Sequence, residues 1–319
     1  MAFLNLAPNP WFLAAGVVLD LLLGDPNYPA HPVRLIGWTL TRTENALRRA
    51  GFDGYGGGIA LFVILCVVWA GGISVAVASM PAALASLFSV FLIYSLLALR
   101  DLLCHGADVE RAATRGDLEA ARLAVAKLVG RDTARMDSVA CTRAAIESLS
   151  ENLTDGFISP VFWYALGGLP GLVIFKVVST MDSMVGYKTE RYFRFGWCGA
   201  RMDDWMNWIP ARITWLLLSA VAVLPGYSAR KCLVVGWRHH AIVPGPNSGW
   251  SEAATAGALE RRLIGPIWAS GQLVTDTWLG EPGDPPAGGA HDFRRAAILV
   301  TATGILAVAI AIGILDRSY

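Results

Sequence analysis

Charge is what this sequence has least of. Of its 319 residues only 16% are Asp, Glu, Lys or Arg, against about 25% in an ordinary soluble domain. In contrast 55% are hydrophobic and the mean hydropathy is +0.48. A chain so composed cannot cover a globular surface with polar groups, and it reads as a membrane protein. A net charge of +1 gives no electrostatic footprint for nucleic acid. The five cysteines, Cys66, Cys104, Cys141, Cys198 and Cys232, are scattered without a CxxC spacing, which argues against both a disulfide framework and a zinc site. There is no GxxxxGK[ST], no GxGxxG after a strand and no HExxH, so any ATP is held without a P-loop. The N-terminus has neither a basic n-region nor a small-residue cleavage site, so its apolar run reads as a first membrane helix in a chain that starts at Met1. Nothing reads as a β-strand run, and there is no internal repeat or low-complexity tract.

What is present is long apolar stretches. Residues 58–80, 82–99 and 296–315 hold no Asp, Glu, Lys, Arg or His, and each approaches the ~20 residues that cross a hydrocarbon core of ~30 Å. Residues 2–23 are interrupted only by Asp20, while 157–175 and 213–229 are shorter or broken by Pro160, Gly167, Gly168, Pro170 and Pro225. The expected fold class is therefore all-α, a polytopic integral membrane protein of about five to six membrane helices with helical cytoplasmic loops, forming one membrane-embedded domain over 1–319. Four polar stretches, 24–57, 100–156, 176–212 and 230–295, carry 4, 8, 6 and 7 Lys/Arg, which is 25 of the 26 in the chain. By the positive-inside rule they face the cytoplasm. Strict alternation would send 176–212 to the other side, so either 157–175 is re-entrant or one polar stretch lies outside.

The sparse charge is patterned. In "RAAIESLSENLTDGFISPVFWYALGG" (143–168), Arg143, Glu147, Glu151 and Asp155 recur at intervals of four before the chain runs uncharged to Lys176. Four residues advance about 400° around a helix, so these side chains share one drifting stripe. The stripe is either a solvated face with an Arg143–Glu147 pair worth a few tenths of a kcal/mol, or the edge of a site at the membrane surface. Asp117 is placed to cap a helix whose Leu118, Ala121, Val125, Leu128 and Val129 line one face, with Gly130 as its stop.

Other polar clusters are "GDPNYPAHPVRLIG" (24–37), "GRDTARMD" (130–137), "TMDSMVGYKTERYFRFGWCGARMDDWMNWIPAR" (180–212) and "PGPNSGWSEAATAGALERR" (244–262). Carboxylates, guanidiniums, amides and turn glycines together suit a site handling phosphate and a metal. Arg131, Arg191, Arg194 and Arg201 are either phosphate forks or positive-inside anchors. Asp203 and Asp204 are either ligands to hydrated Mg²⁺ or a helix N-cap. His31 is either a metal ligand or a satisfied loop residue. Trp197, Trp205 and Trp208 are either a substrate wall or interface anchors.

These clusters closely resemble the membrane-bound adenosylcobinamide-phosphate synthase family of cobalamin biosynthesis, known as CobD or CbiB. The resemblance is carried by "DLLLGDPNYPAHPVRLIG" (20–37), Gly130-Arg131-Asp132-Thr133, "ESLSENLTDGFISP" (147–160), Thr180 through Arg212, and "PNSGWSEAATAG" (246–257), in order over both halves of the chain. It implies a bacterial inner-membrane enzyme with a cytoplasmic active face. That enzyme joins adenosylcobyric acid to (R)-1-aminopropan-2-ol or its O-phosphate through an amide, consuming ATP with Mg²⁺. Corrinoid, amino alcohol and membrane lipid would be its partners, together with other late cobalamin-pathway membrane proteins. Under that chemistry Asp203 and Asp204, with Asp182 or Asp155, are candidates for Mg²⁺. Arg131, Lys188 and Arg201 are candidates for phosphate or carboxylate charge, and Glu151 for the base that deprotonates the incoming ammonium. Asn152, Asn207, Asn247 and Ser248 are candidates to position substrate amides, and His31 and Arg34 to contact substrate. The chain departs from the family pattern at Ser179, where asparagine is usual, and at Gly245, where serine is commoner. Two rival readings are a transporter and a non-enzymatic carrier, signalling or assembly protein of the same family. Against the transporter, the apolar spans lack the midplane ionisable residues of ion-coupled carriers.

Overall fold

The computed structural model describes residues 5–24, 28–269 and 271–317. It is an all-α polytopic membrane protein. In chain order the helices are α1 (Pro10–Leu23), α2 (Pro32–Arg49), α3 (Tyr55–Cys66), α4 (Gly72–Ser79), α5 (Ala82–Leu96), α6 (Leu99–Thr114), α7 (Leu118–Val125) and α8 (Ser138–Asn152). They continue as α9 (Ser159–Val185), α10 (Trp197–Met206), α11 (Trp208–Val221), α12 (Ala229–His239), α13 (Ser248–Leu259) and α14 (Gly289–Asp316). Wider π-helical turns at Val67–Gly71 and Leu153–Ile158 join α3 to α4 and α8 to α9. Four helical runs are long and apolar enough to cross a membrane: Tyr55–Ser79, Ala82–Thr114, Ser138–Val185 and Gly289–Asp316, with α1 as a shorter apolar helix. Exposed Val67 and Val75 on the first of these runs are what a lipid-facing surface requires.

Local chemistry sets the helix ends. The Asn9 side chain accepts from the amides of Trp11 and Phe12 at 2.9 and 3.1 Å, with Pro10 in the first turn of α1. Asp117 caps α7 and Asp137 caps α8 by the same means. Helix α7 stops at Val125, short of the Leu128 and Val129 that the sequence pattern includes, because Lys127 and Leu128 turn back to the carbonyls of Ala124 and Val125.

The chain divides into two compact units, each assembled from separated segments. The first comprises Met1–Ala98, Ser159–Asn207 and Val308–Tyr319. Its core joins Ile36 and Leu40 of α2, Leu61 and Leu65 of α3, Val177, Met181 and Val185 of α9, and Phe195. Missing Cβ atoms allow this closeness, since a methyl at Gly58 would overlap the Phe195 carbonyl oxygen and one at Gly196 that of Val185. These contacts hold the 186–196 loop against α3 and α9.

The second unit comprises Leu99–Ile158 and Trp208–Ala307. Here α13 is buried along almost its whole length and packs on α12 through Gly257, where a methyl would meet the Lys231 carbonyl. This unit corrects the expectation of no strands, for β1 (Leu263–Ala269) and β2 (Gln272–Leu279) form an antiparallel hairpin with a register irregularity between Ile267 and Trp268. Its pattern is illegible in sequence because Ile264 and Gly265 both adopt positive φ and Pro266 follows, which breaks the alternation of a regular strand.

Candidate functional site

In the second unit the Arg143–Asp155 stripe is not a solvated face. Arg143 is 8% exposed. Its Nε donates to the Ile264 carbonyl at 2.9 Å and its guanidinium lies 4.9 Å from the Trp278 ring centre, so α8 is tied to the hairpin. Glu147 therefore takes its hydrogen-bonded pair from elsewhere, accepting from Arg131 Nη2 at 2.7 Å. Both side chains of that pair are largely shielded from solvent, at 11% and 15% exposure. Glu151 and Asp155, one and two turns on, are half-buried.

Across from them α13 contributes Glu252, 4% exposed. Burial pushes its carboxyl well above the usual range, and Glu151, Glu147 and Asp155 push it further, with only Arg131 opposing. Asn152 turns back along its own helix, its Nδ2 donating to the Ser148 carbonyl at 3.0 Å and to the Ser148 hydroxyl at 3.2 Å. Asn247 and Ser248 stand at the start of α13, where Asn247 Oδ1 accepts from Arg212 at 3.4 Å. Arg212 also lies over Trp208 and Trp250, and His240 stacks on Trp250 at 3.9 Å. The structure thus groups Arg131, Glu147, Glu151 and Asp155 with Glu252, and sets Asn247 beside Arg212 in an aromatic nest.

In the first unit a pocket of about 360 Å³ is lined by Lys188, Arg201, Asp204, Gly186, Ala200 and the rings of Tyr55, Tyr187, Tyr192, Phe193 and Trp197. Asp204 is 3.7 Å from Arg201. Burial raises the Asp204 carboxyl above its ordinary range, while Arg201 and Lys188 pull the other way. Asp182 lies close enough to Asp204 for the two charges to repel, and its carboxylate fits against the bare Cα of Gly186. Asp203 points elsewhere: its Oδ2 accepts from Asn207 Nδ2 at 3.0 Å, and the Asn207 Oδ1 accepts from the Ser159 hydroxyl at 2.5 Å. Asp203 and Asp204 fall in the last turns of α10, not at its N-cap.

Among the described residues no three His, Cys, Asp or Glu side chains converge to hold a metal ion. The pair Asp182 and Asp204 beside two cations nonetheless fits Mg²⁺, which takes one or two protein carboxylates and completes its shell with water and substrate phosphates. His31 is 5% exposed and packs edge-on to Tyr28 at 5.3 Å. Arg34 lines a different recess of about 340 Å³ with Lys176, Ser179, Thr180 and Ser183. Neither lines the Lys188 pocket.

Residues 13–300 match the model of the family described as CobD/Cbib protein. The chain belongs to this family. It is 43% identical over 281 residues to "Cobalamin biosynthesis protein CobD" of Pelobacter propionicus, covering 86% of each chain. To the protein of that name from Citrobacter koseri it is 38% identical over 304 residues, covering 93% of this chain and 94% of the other. To "Cobalamin biosynthesis protein CbiB" of Salmonella typhimurium it is 39% identical over 272 residues, covering 83% and 85%. No solved structure matches. Both groups of residues described above lie inside the span matched to the CobD/Cbib family. Glu252 is the residue that reading the sequence of this CobD/Cbib member overlooked. Its signal was a lone carboxylate inside "SGWSEAATAG", a run of small residues that packs closely on every side and leaves a charge no route to water.

Proposed function

We propose that this chain acts in cobalamin biosynthesis as an amide synthase of the bacterial inner membrane with its working face toward the cytoplasm. The reaction joins adenosylcobyric acid to (R)-1-aminopropan-2-ol or its O-phosphate, with ATP consumed. A carboxylate is a poor electrophile and must first be activated. In the balanced sequence a carboxylate oxygen of the corrin side chain attacks the γ-phosphorus of ATP and ADP leaves. The neutral amine then attacks the acyl carbon, and inorganic phosphate departs with that oxygen.

The observation that carries this reading is the Lys188–Arg201–Asp204 pocket with Asp182 beside it. Lys188 and Arg201 offer charge to phosphoryl oxygens, and Asp182 and Asp204 are the pair that would hold Mg²⁺. When bound, Mg²⁺ supplies charge neutralisation at the phosphates. Asp203 orients Asn207 and so acts on the pocket through α10. The rings of Tyr55, Tyr187, Tyr192, Phe193 and Trp197 give the pocket an apolar border. In the second unit Glu151 is the accessible carboxylate for taking the proton of the incoming ammonium, and Arg131 fixes its neighbour Glu147.

The test is turnover by the purified protein in mild detergent with adenosylcobyric acid, Mg-ATP and aminopropanol phosphate. The expected result is one ADP per condensed corrinoid, heavier by the amine minus one water. Asp204→Asn should lower kcat by about 10²–10³. Corrinoid binding without product or ADP would overturn the synthase reading, and full turnover in Asp204→Asn would overturn the metal assignment.

A further inference from the structure

Helix α12 carries cations that neither group of residues described above uses. Arg230, Val234 and Arg238 recur at intervals of four and share one face of the helix. With Ser228, Lys231 and Glu281 they line a recess of about 400 Å³ in the second unit. The Lys231 ammonium is occupied, donating to Asp284 at 2.8 Å and paired with Glu260 at 2.9 Å. The other three charges are not: among the described residues the side chains of Arg230, Arg238 and Glu281 make no ion pair or hydrogen bond. Opposite charges that line one cavity without closing on each other leave room for a ligand that carries both signs.

The side chains say what those signs belong to. Arg230 and Arg238 stand about 12 Å apart along the helix axis, a span that two long side chains can close from its ends. Guanidinium forks match phosphate oxygens. Glu281 calls for a cation that donates hydrogen bonds, as a primary ammonium does, whereas an anion alone would meet Glu281 as a like charge. The recess therefore suits a phosphate ester with an ammonium a few bonds away.

The position in the fold points to a source. The turn between α11 and α12 is tied to the start of α14, where the Tyr227 hydroxyl donates to the Arg295 carbonyl at 2.8 Å and Arg295 donates to the carbonyls of Leu259, at 3.0 Å, and Gly226. Arg295 is the last charge before the uncharged stretch 296–315, in a run able to cross a membrane. Ser228 and the recess thus stand near the level where α14 enters hydrocarbon, which is the headgroup layer. Val223 and Leu224 on the same turn, and Leu233 and Trp237 on α12, are exposed, as suits contact with lipid at that depth.

We propose that this recess binds a 2-aminoalkyl phosphate group, with Arg230 and Arg238 on the phosphate and Glu281 on the ammonium, and that the headgroup of a phosphatidylethanolamine supplies it. The amine co-substrate in its O-phosphate form carries the same group, and only that second source rests on the amide-forming reading.

The test titrates the full chain in mild detergent and reads bound molecules by native mass spectrometry. The probes are phosphatidylethanolamine, phosphatidylglycerol and phosphatidylcholine with the same acyl chains, and soluble (R)-1-aminopropan-2-ol O-phosphate. Phosphatidylethanolamine should bind about tenfold or more tightly than phosphatidylglycerol, which lacks the cation, and than phosphatidylcholine, whose quaternary cation donates no hydrogen bond. Arg230→Gln with Arg238→Gln should weaken its Kd by about tenfold or more, and Glu281→Gln should abolish the preference over phosphatidylglycerol. Arg230→Lys with Arg238→Lys keeps both charges and should retain most of the binding, which separates lost recognition from lost folding. Binding of the soluble phosphate alone, lost in the same Gln variants, would uphold the site and overturn the lipid source. Parent-like binding in the Gln variants, or no saturable binding of either probe, would overturn the inference and leave only solvated charges. Phosphatidylglycerol binding equally well, with Glu281→Gln without effect, would overturn it too, as attraction of any anion. Lipid binding is read without ATP or corrinoid, so it can hold where amide formation fails and fail where amide formation holds.

Discussion

Arg131 and Glu147 show what single residues decide here. Their 2.7 Å ion pair is largely shielded from solvent, so removing one partner strands a charge at a cost of about 3–5 kcal/mol. Arg131→Ala should therefore lower the thermal midpoint in detergent sharply, and adding Glu147→Gln should recover part of the loss; an unchanged midpoint for Arg131→Ala would refute the pairing. Glu252 has a pH signature of its own. Because its folded carboxyl lies well above the ordinary range, the folded state holds a proton that the unfolded chain has released once pH exceeds about 4.3. Stability should fall as pH rises from there toward the raised folded value, with a slope of at most about 1.4 kcal/mol per unit, and then level off. Melting curves across that window should show the slope in the parent and lose it in Glu252→Gln. At this scale the sequence disclosed the acidic stripe but not its partners. Arg143, four residues from Glu147, reads as the obvious mate, yet it bonds to the Ile264 carbonyl 121 residues away.

Elements are shaped by backbone positions that admit only glycine. Gly168 has φ 60 and ψ −151 inside α9, a region closed to other residues, and a methyl there would overlap the Leu6 carbonyl oxygen. The Leu169 amide donates to that same carbonyl at 2.9 Å, so the break in α9 anchors the segment before α1. Gly168→Ala should cost at least about 1–3 kcal/mol, seen as a lowered midpoint or loss of folded protein on expression; parent-like stability would show that the break is dispensable. The Gly167, Gly168 and Pro170 group was legible as an interruption of the apolar run. What it could not disclose was that helix resumes at once on the far side, because that depends on the Leu6 contact. The β1–β2 hairpin was illegible for the complementary reason: its irregular first strand is held by the Arg143 bond to the Ile264 carbonyl, and its second by the guanidiniums of Arg143 and Arg262 over the Trp278 ring at 4.9 and 4.7 Å. Those partners lie outside any sequence window.

The whole molecule is two units threaded from separated segments, with four runs able to cross a membrane. With the cytoplasmic working face proposed above, the positive-inside rule predicts that the basic end of the Ala82–Thr114 run lies in the cytoplasm and its other end on the opposite side. In a cysteine-free background, Arg115→Cys should be labelled by an impermeant thiol reagent only from the cytoplasmic face, and Ala82→Cys only from the other. Labelling of both from one side would overturn this topology. Composition and apolar run length were enough to determine the membrane class, the helical character and the main spans. Those depend on the one-dimensional cost of taking charge and unpaired backbone into hydrocarbon. Tertiary structure alone decided that Arg131 pairs with Glu147, that Asp204 lines the Lys188 pocket while Asp203 turns to Asn207, and that Glu252 comes to the acidic stripe from 101 residues beyond Glu151. Such pairings depend on which helix faces meet, and close packing through Gly58, Gly196 and Gly257 settles that in three dimensions.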